Sequence, residues 1–211
     1  GHYLTIKRNS ARSKSKHHRH VSTHPKHAFE QADSKYDSAM DYISYMQGMN
    51  AKGYDTPKYQ VWKLLSIKKY MKKASADKKK DYNQKMAQAL SDYSDLNAAK
   101  KAFKSAAWYG LSKKQKGSIW KGIAEKVSTR QADSKYDSTI DYMNYMQGMN
   151  AKGYDTPGYQ TWKFLSIKKH MKNASADKKK DYNQKMAQAL SDYDNIKAAK
   201  KVFNSAGWYG L

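Results

Sequence analysis

Cysteine is absent from this 211-residue chain, so neither a disulfide nor a thiolate metal site can be built. That absence excludes the disulfide-stapled kind of small secreted domain and leaves the compartment open. Apolar runs are short, and none approaches the roughly 18 residues that mark a membrane span. Arginine is nearly missing: of 41 basic residues only Arg8, Arg12, Arg19 and Arg130 are not lysine. Base-specific DNA reading leans on arginine for bidentate contacts to guanine, so it is disfavoured here. β-Branched residues are scarce and no alternating run exceeds a few positions, which removes the strand signal. Residues 31–111 contain no His, Glu, Cys or Arg. A catalytic unit there would have to be assembled from Asp, Lys, Tyr and Ser, and the chain reads as non-enzymatic, with no cofactor.

What is present is a duplication. Residues 31–111 and 131–211 are the same unit offset by 100 positions, with 65 of 81 residues identical. Tandem modules commonly bind, because a second copy raises avidity without new contacts. The net charge is +23, with each repeat and each flanking segment contributing in the same sense. A partner that is a polyanion follows. The organisation reads as a basic, His-rich disordered tail over 1–30, helical repeats over 31–111 and 131–211, and a basic amphipathic connector over 112–130. The tail histidines, His17, His18, His20, His24 and His27, match no zinc spacing, so no metal site is assigned to them.

Each repeat reads as all-α, a three- or four-helix bundle. Its first helix is expected to start near Asp33 or Ser34 and stop at Gly53. Thr56-Pro57 opens a second helix, whose Tyr59, Trp62, Leu64, Leu65, Ile67 and Met71 point to nearly every side and suggest the most buried helix. A third follows Ser75 with the stripe Tyr82, Met86, Ala89, Leu90, Tyr93, and a fourth runs from about Leu96 to a stop at Gly110. Met40, Met46, Met49, Met71 and Met86 read as ordinary core. In the connector, Ser118 as N-cap with Ile119, Trp120, Ile123 and Val127 predicts a short helix that packs on a bundle or bridges the two.

Three patterns are candidates for chemistry. Asp33, Asp37 and Asp41 recur as Asp133, Asp137 and Asp141 at helical spacing, but lack the ligand pattern of a calcium loop. They read as an acidic stripe answering nearby lysines. Lys72, Lys78, Lys79, Lys80 and Lys85 recur as Lys172, Lys178, Lys179, Lys180 and Lys185. Any one run suits a solvated face, yet the excess surpasses what solubility needs, which makes these lysines the binding candidates. Tyr54 and its copy Tyr154, in the KGYDTP turn, are the candidate stacking residues, whereas Trp108 and Trp208 read as core or capping.

Tandem, Cys-free, Lys- and Tyr-rich helical repeats with Asp favoured over Glu resemble exported cell-surface and wall-associated proteins of lactobacilli and related Gram-positive bacteria. The resemblance implies a secreted or surface-attached protein that adheres to wall polymers, host glycans or matrix, and it supplies no binding residues. The expectation is a non-enzymatic adhesion protein that binds an anionic polymer such as teichoic acid, an acidic glycan or mucin. Non-sequence-specific nucleic-acid binding and an accessory module of a wall or glycan hydrolase are the alternatives.

Overall fold

The computed structural model describes residues 25–49, 53, 56–149, 152, 153 and 156–210, and every regular element among them is a helix. Tyr54, Tyr154 and the tail as far as residue 24 lie outside the described residues. No described helix is long and apolar enough to cross a membrane. The first repeat comprises α1 (Pro25–Gly48), α2 (Pro57–Ser66), α3 (Lys68–Met71), α4 (Ala76–Ser91) and α5 (Leu96–Ser105). The second comprises the later part of α6 (Lys113–Gly148), then α7 (Pro157–Ser166), α8 (Lys168–Met171), α9 (Ala176–Ser191) and α10 (Ile196–Ser205).

The local start signals operate as their chemistry dictates. Thr56 Oγ1 accepts from the Tyr59 amide at 3.2 Å with Pro57 at the first helical position, and Ser75 Oγ accepts from the Lys78 amide at 3.4 Å. Asp95 caps α5 through the Ala98 amide at 2.7 Å, and Asn195 does the same for α10 at 3.0 Å. That repeat difference therefore exchanges one good cap for another.

The stops differ from expectation. α1 already begins at Pro25, so residues 25–30 are helix rather than tail, and it ends at Gly48. Gly53 stands in the following loop with φ +91°, a left-handed conformation that glycine adopts without a Cβ penalty. α5 ends at Ser105 with Ala106 extended, and Gly110, at φ +69°, serves instead the turn that folds Trp108 and Tyr109 back over the bundle. Asn83 clasps this return: its Nδ2 donates to the Tyr109 carbonyl at 2.8 Å and its Oδ1 accepts from the Tyr109 amide at 3.1 Å. Trp108 Nε1 donates to the Phe103 carbonyl at 3.1 Å, which fits the core and capping reading of that residue.

The most buried helix is α4, not the second. α4 places Tyr82, Met86, Ala89 and Leu90 inside, while α2 buries only Val61 and Leu64. The second helical stretch breaks at Ile67, so that α2 lies on α4 and α3 lies on α1. Trp62 falls outside the stripe facing α4 and stays 62% exposed, and Met49 is also exposed. Tyr36, Tyr82, Leu64, Met71 and Met86 fill the centre. Tyr82 donates to the Leu64 carbonyl at 2.9 Å, and the Tyr36 hydroxyl donates to the Asp81 carboxylate.

Burial holds the hydroxyls of Tyr36, Tyr82, Tyr136 and Tyr182 protonated above the usual tyrosine range, with the Asp81 and Asp181 bonds adding to the effect for Tyr36 and Tyr136. The unfolded chain therefore loses these protons first. The stabilisation is whole below about pH 10 and is lost as pH rises toward the folded-state values. In an alkaline titration, part of the tyrosinate absorbance should appear only together with loss of helical circular dichroism. A smooth titration of all tyrosines with the helices intact would contradict the buried placement.

The connector is not a separate short helix. α6 is one continuous helix of 36 residues, about 54 Å at 1.5 Å per residue, through the junction at residues 130 and 131. It starts at a capping box, in which Ser112 Oγ accepts from the Gln115 amide at 3.1 Å and Gln115 Oε1 accepts from the Ser112 amide at 2.8 Å. Ser118 and Asp133 consequently sit inside the helix, not at its start. Its first half inserts Ile123 and Val127 into the first repeat's core, and its second half contributes Ala132, Tyr136 and Met143 to the second core. Arg130 closes the first contact: Nη1 donates to the carbonyls of Ser91 at 2.5 Å and Tyr93 at 2.8 Å, at the negative end of α4.

Candidate binding surface

The structure separates the ten candidate lysines into different environments. Lys78 and Lys178 are engaged, with Nζ 2.6 Å from Asp37 and 2.7 Å from Asp137. The hydrogen bond to Asp37 or Asp137 raises the pKa of each ammonium. Lys79 and Lys179 are half-buried, while Lys80 and Lys180, one residue further round the helix, are exposed. Lys72 and Lys172 are exposed at the ends of α3 and α8. The runs therefore do not form one continuous basic face. Three cations at the positive end of α4 are electrostatically uphill, and Asp77 in the first turn and Asp37 from α1 offset them.

The acidic stripe is divided in the same way. Asp33 accepts from the Ser75 amide at 2.9 Å, tying α1 to the start of α4, and Asp37 holds Lys78, leaving Asp41 exposed. Among the described residues no three His, Asp or Glu side chains converge as a metal would require.

Lys85 and Lys185 sit elsewhere, on grooves that recur in both repeats. In the first, Gln47, Gln60, Gln88, Lys85 and Asp92 surround a floor of Met40 and Leu64, enclosing about 330 Å³. In the second, Gln147, Gln160, Gln188, Lys185 and Asp192 line a smaller groove of about 230 Å³ over Ile140 and Phe164. Lys185 is tied back to both oxygens of Asp181 at 2.8 and 2.7 Å. Three amides with one cation and one carboxylate supply donors and acceptors together, which suits hydroxyl-rich ligands.

Sequence reasoning missed the exposed aromatics. Trp62 and Trp162 are each 62% exposed, with Tyr59 and Tyr159 rings beside them at 5.8 and 5.9 Å. Lys63 places its ammonium 4.8 Å over Tyr42, and Lys163 lies 5.0 Å over Tyr142, joining the first and second helices of each repeat. Tyr45 and Tyr145 are exposed one turn beyond. Trp62 read as core because α2 is apolar on several sides; the available signal was its offset by one residue from the Val61–Leu64 pair.

No family model matches this chain, and neither a curated protein nor a solved structure is significantly similar to it.

Proposed function

We propose that this protein is a non-enzymatic, exported cell-surface binding protein whose two helical modules hold an anionic glycopolymer such as teichoic acid or an acidic glycan. Lysines supply the attraction and the exposed aromatics supply the contact surface. The observation that carries this reading is the recurrence, in both repeats, of an exposed Trp beside a Tyr of its own helix, followed by a Lys that sits over a Tyr of the preceding helix, on a strongly basic chain. An exposed tryptophan contributes little to folding and much to a stacked ligand. The groove amides offer both donors and acceptors to sugar hydroxyls.

The test is a binding titration of the full chain and the Trp62→Ala/Trp162→Ala double variant against purified teichoic acid, a sialylated mucin glycan and a random-sequence DNA duplex. The double variant should lose about tenfold in affinity for the glycopolymer, about 1.4 kcal/mol, with the melting temperature almost unchanged. Unchanged affinity would remove the aromatic part of the reading. Tighter binding to DNA than to either glycopolymer would replace the polymer class with nucleic acid.

A further inference from the structure

The two repeats carry nearly the same letters but not the same cover. In the first, the front half of α6 lies on α4 and α5, with Trp120 against Phe103 at 5.2 Å, so Leu90, Tyr93, Ala99 and Trp108 are all buried. In the second repeat no described helix occupies the equivalent position on α9 and α10. Leu190, Tyr193, Ala199 and Trp208 are only half-buried, Phe203 is 53% exposed and Ile196 is 86% exposed.

We propose that this face of α9 and α10 is a docking site for a basic amphipathic helix of the same pattern as residues 112–130. The proposal is independent of the polymer-binding reading. The first repeat supplies the template, since its equivalent face is filled by Ile119, Trp120, Ile123 and Val127, with Arg130 capping the carbonyls of residues 91 and 93. The second repeat differs from the first at 16 positions, yet on this face Leu96 is replaced by Ile196 and Ala102 by Val202, which keeps or adds apolar surface. An exposed contiguous apolar patch of this kind marks an interaction site.

The chain's own tail does not fit. Shifted by 100 positions, it has Arg19, His20, Thr23 and His27 where the connector has Ile119, Trp120, Ile123 and Val127. A second copy would have to offer its own connector, whose Ile123 and Val127 are already buried. The occupant is therefore a helix other than residues 1–30 and 112–130, carrying the connector's four apolar residues and a terminal arginine.

The experiment titrates a labelled 19-residue peptide, residues 112–130, into the full chain at about 0.3 M salt, where repulsion between the two basic partners is screened. Saturable binding in the range of about 10–300 µM is expected, weakened by the cost of ordering a short helix. The Ile123→Asp/Val127→Asp peptide should bind at least about twentyfold more weakly, as charges on the buried seam must be desolvated. Phe203→Glu in the full chain should weaken the native peptide similarly without lowering the melting temperature, since that side chain is exposed. Amide chemical-shift changes should map to α9 and α10. Absence of binding up to about 1 mM, corresponding to about 4 kcal/mol, would overturn the proposal. Equal binding of the double-Asp peptide, or shifts confined to α4 and α5, would do the same. Concentration-dependent self-association abolished by Phe203→Glu would assign the face to a second copy instead and also overturn it.

Discussion

Raising sodium chloride from about 50 to about 500 mM should weaken binding of the full chain to teichoic acid by at least about a hundredfold. Each lysine that neutralises an anionic group on a charged polymer releases counterions, and the affinity falls by nearly one decade per contact for each decade of salt. Three such contacts bring the loss to about two decades or more. Sequence counting overstates the pool, because Lys78 and Lys178 are paired with Asp37 and Asp137 and Lys185 with Asp181. Lys72, Lys80, Lys172 and Lys180 remain exposed to meet the ligand. A change smaller than about threefold would eliminate counterion release as the driving force. The amide-lined grooves around Gln60 and Gln160, acting on neutral sugar, would then be the better site.

The second large effect concerns folding. A fragment of residues 25–130 should melt at least about 15 °C above a fragment of residues 25–111. The shorter piece loses Ile123 and Val127, which are 2% and 0% exposed, and uncovers Leu90, Ala99 and Trp108. Burying each large aliphatic side chain contributes about 1.5–3 kcal/mol, and each kcal/mol shifts the midpoint by about 4–8 °C in a domain of this size. The Arg130 bonds to the end of α4 add to the difference. The second repeat should behave otherwise: fragments 112–211 and 131–211 should melt within a few degrees of each other, because the connector's apolar residues pack on the first core. Differential scanning calorimetry of the four fragments reads this directly. Equal midpoints for 25–111 and 25–130 would show that the connector is only tethered to the first repeat. The fully covered first repeat extends through residue 130, because Ile123 and Val127 belong to its core.

Several features were legible in the letters because they depend on neighbours in sequence. The Thr56-Pro57 and Ser75 starts are local hydrogen-bond chemistry, and the stripe through Tyr82, Met86, Ala89 and Leu90 declares one buried face at helical period. The Ser112–Gln115 capping box is equally local, but Ser118 stands closer to the apolar run and offers a competing start signal. Residues 128–133 contain serine, threonine and aspartate suited to a cap, yet no glycine or proline to force a stop. Packing at both ends of α6 outweighs such a weak preference, so the helix runs on.

The repeat, the helical class, the absence of thiol chemistry and the surplus of lysine follow from the letters alone. Packing between distant segments sets which of those lysines Asp37 and Asp137 engage, and turns Trp62 outward and Trp108 inward. Such packing also separates residues of the same type in nearly the same local sequence. Leu90 is wholly buried whereas Leu190 is not, because α6 lies across the first repeat and no described helix lies across the second. Burial is set by what packs against a residue from a distance, and two copies of one sequence take different environments wherever their neighbours differ.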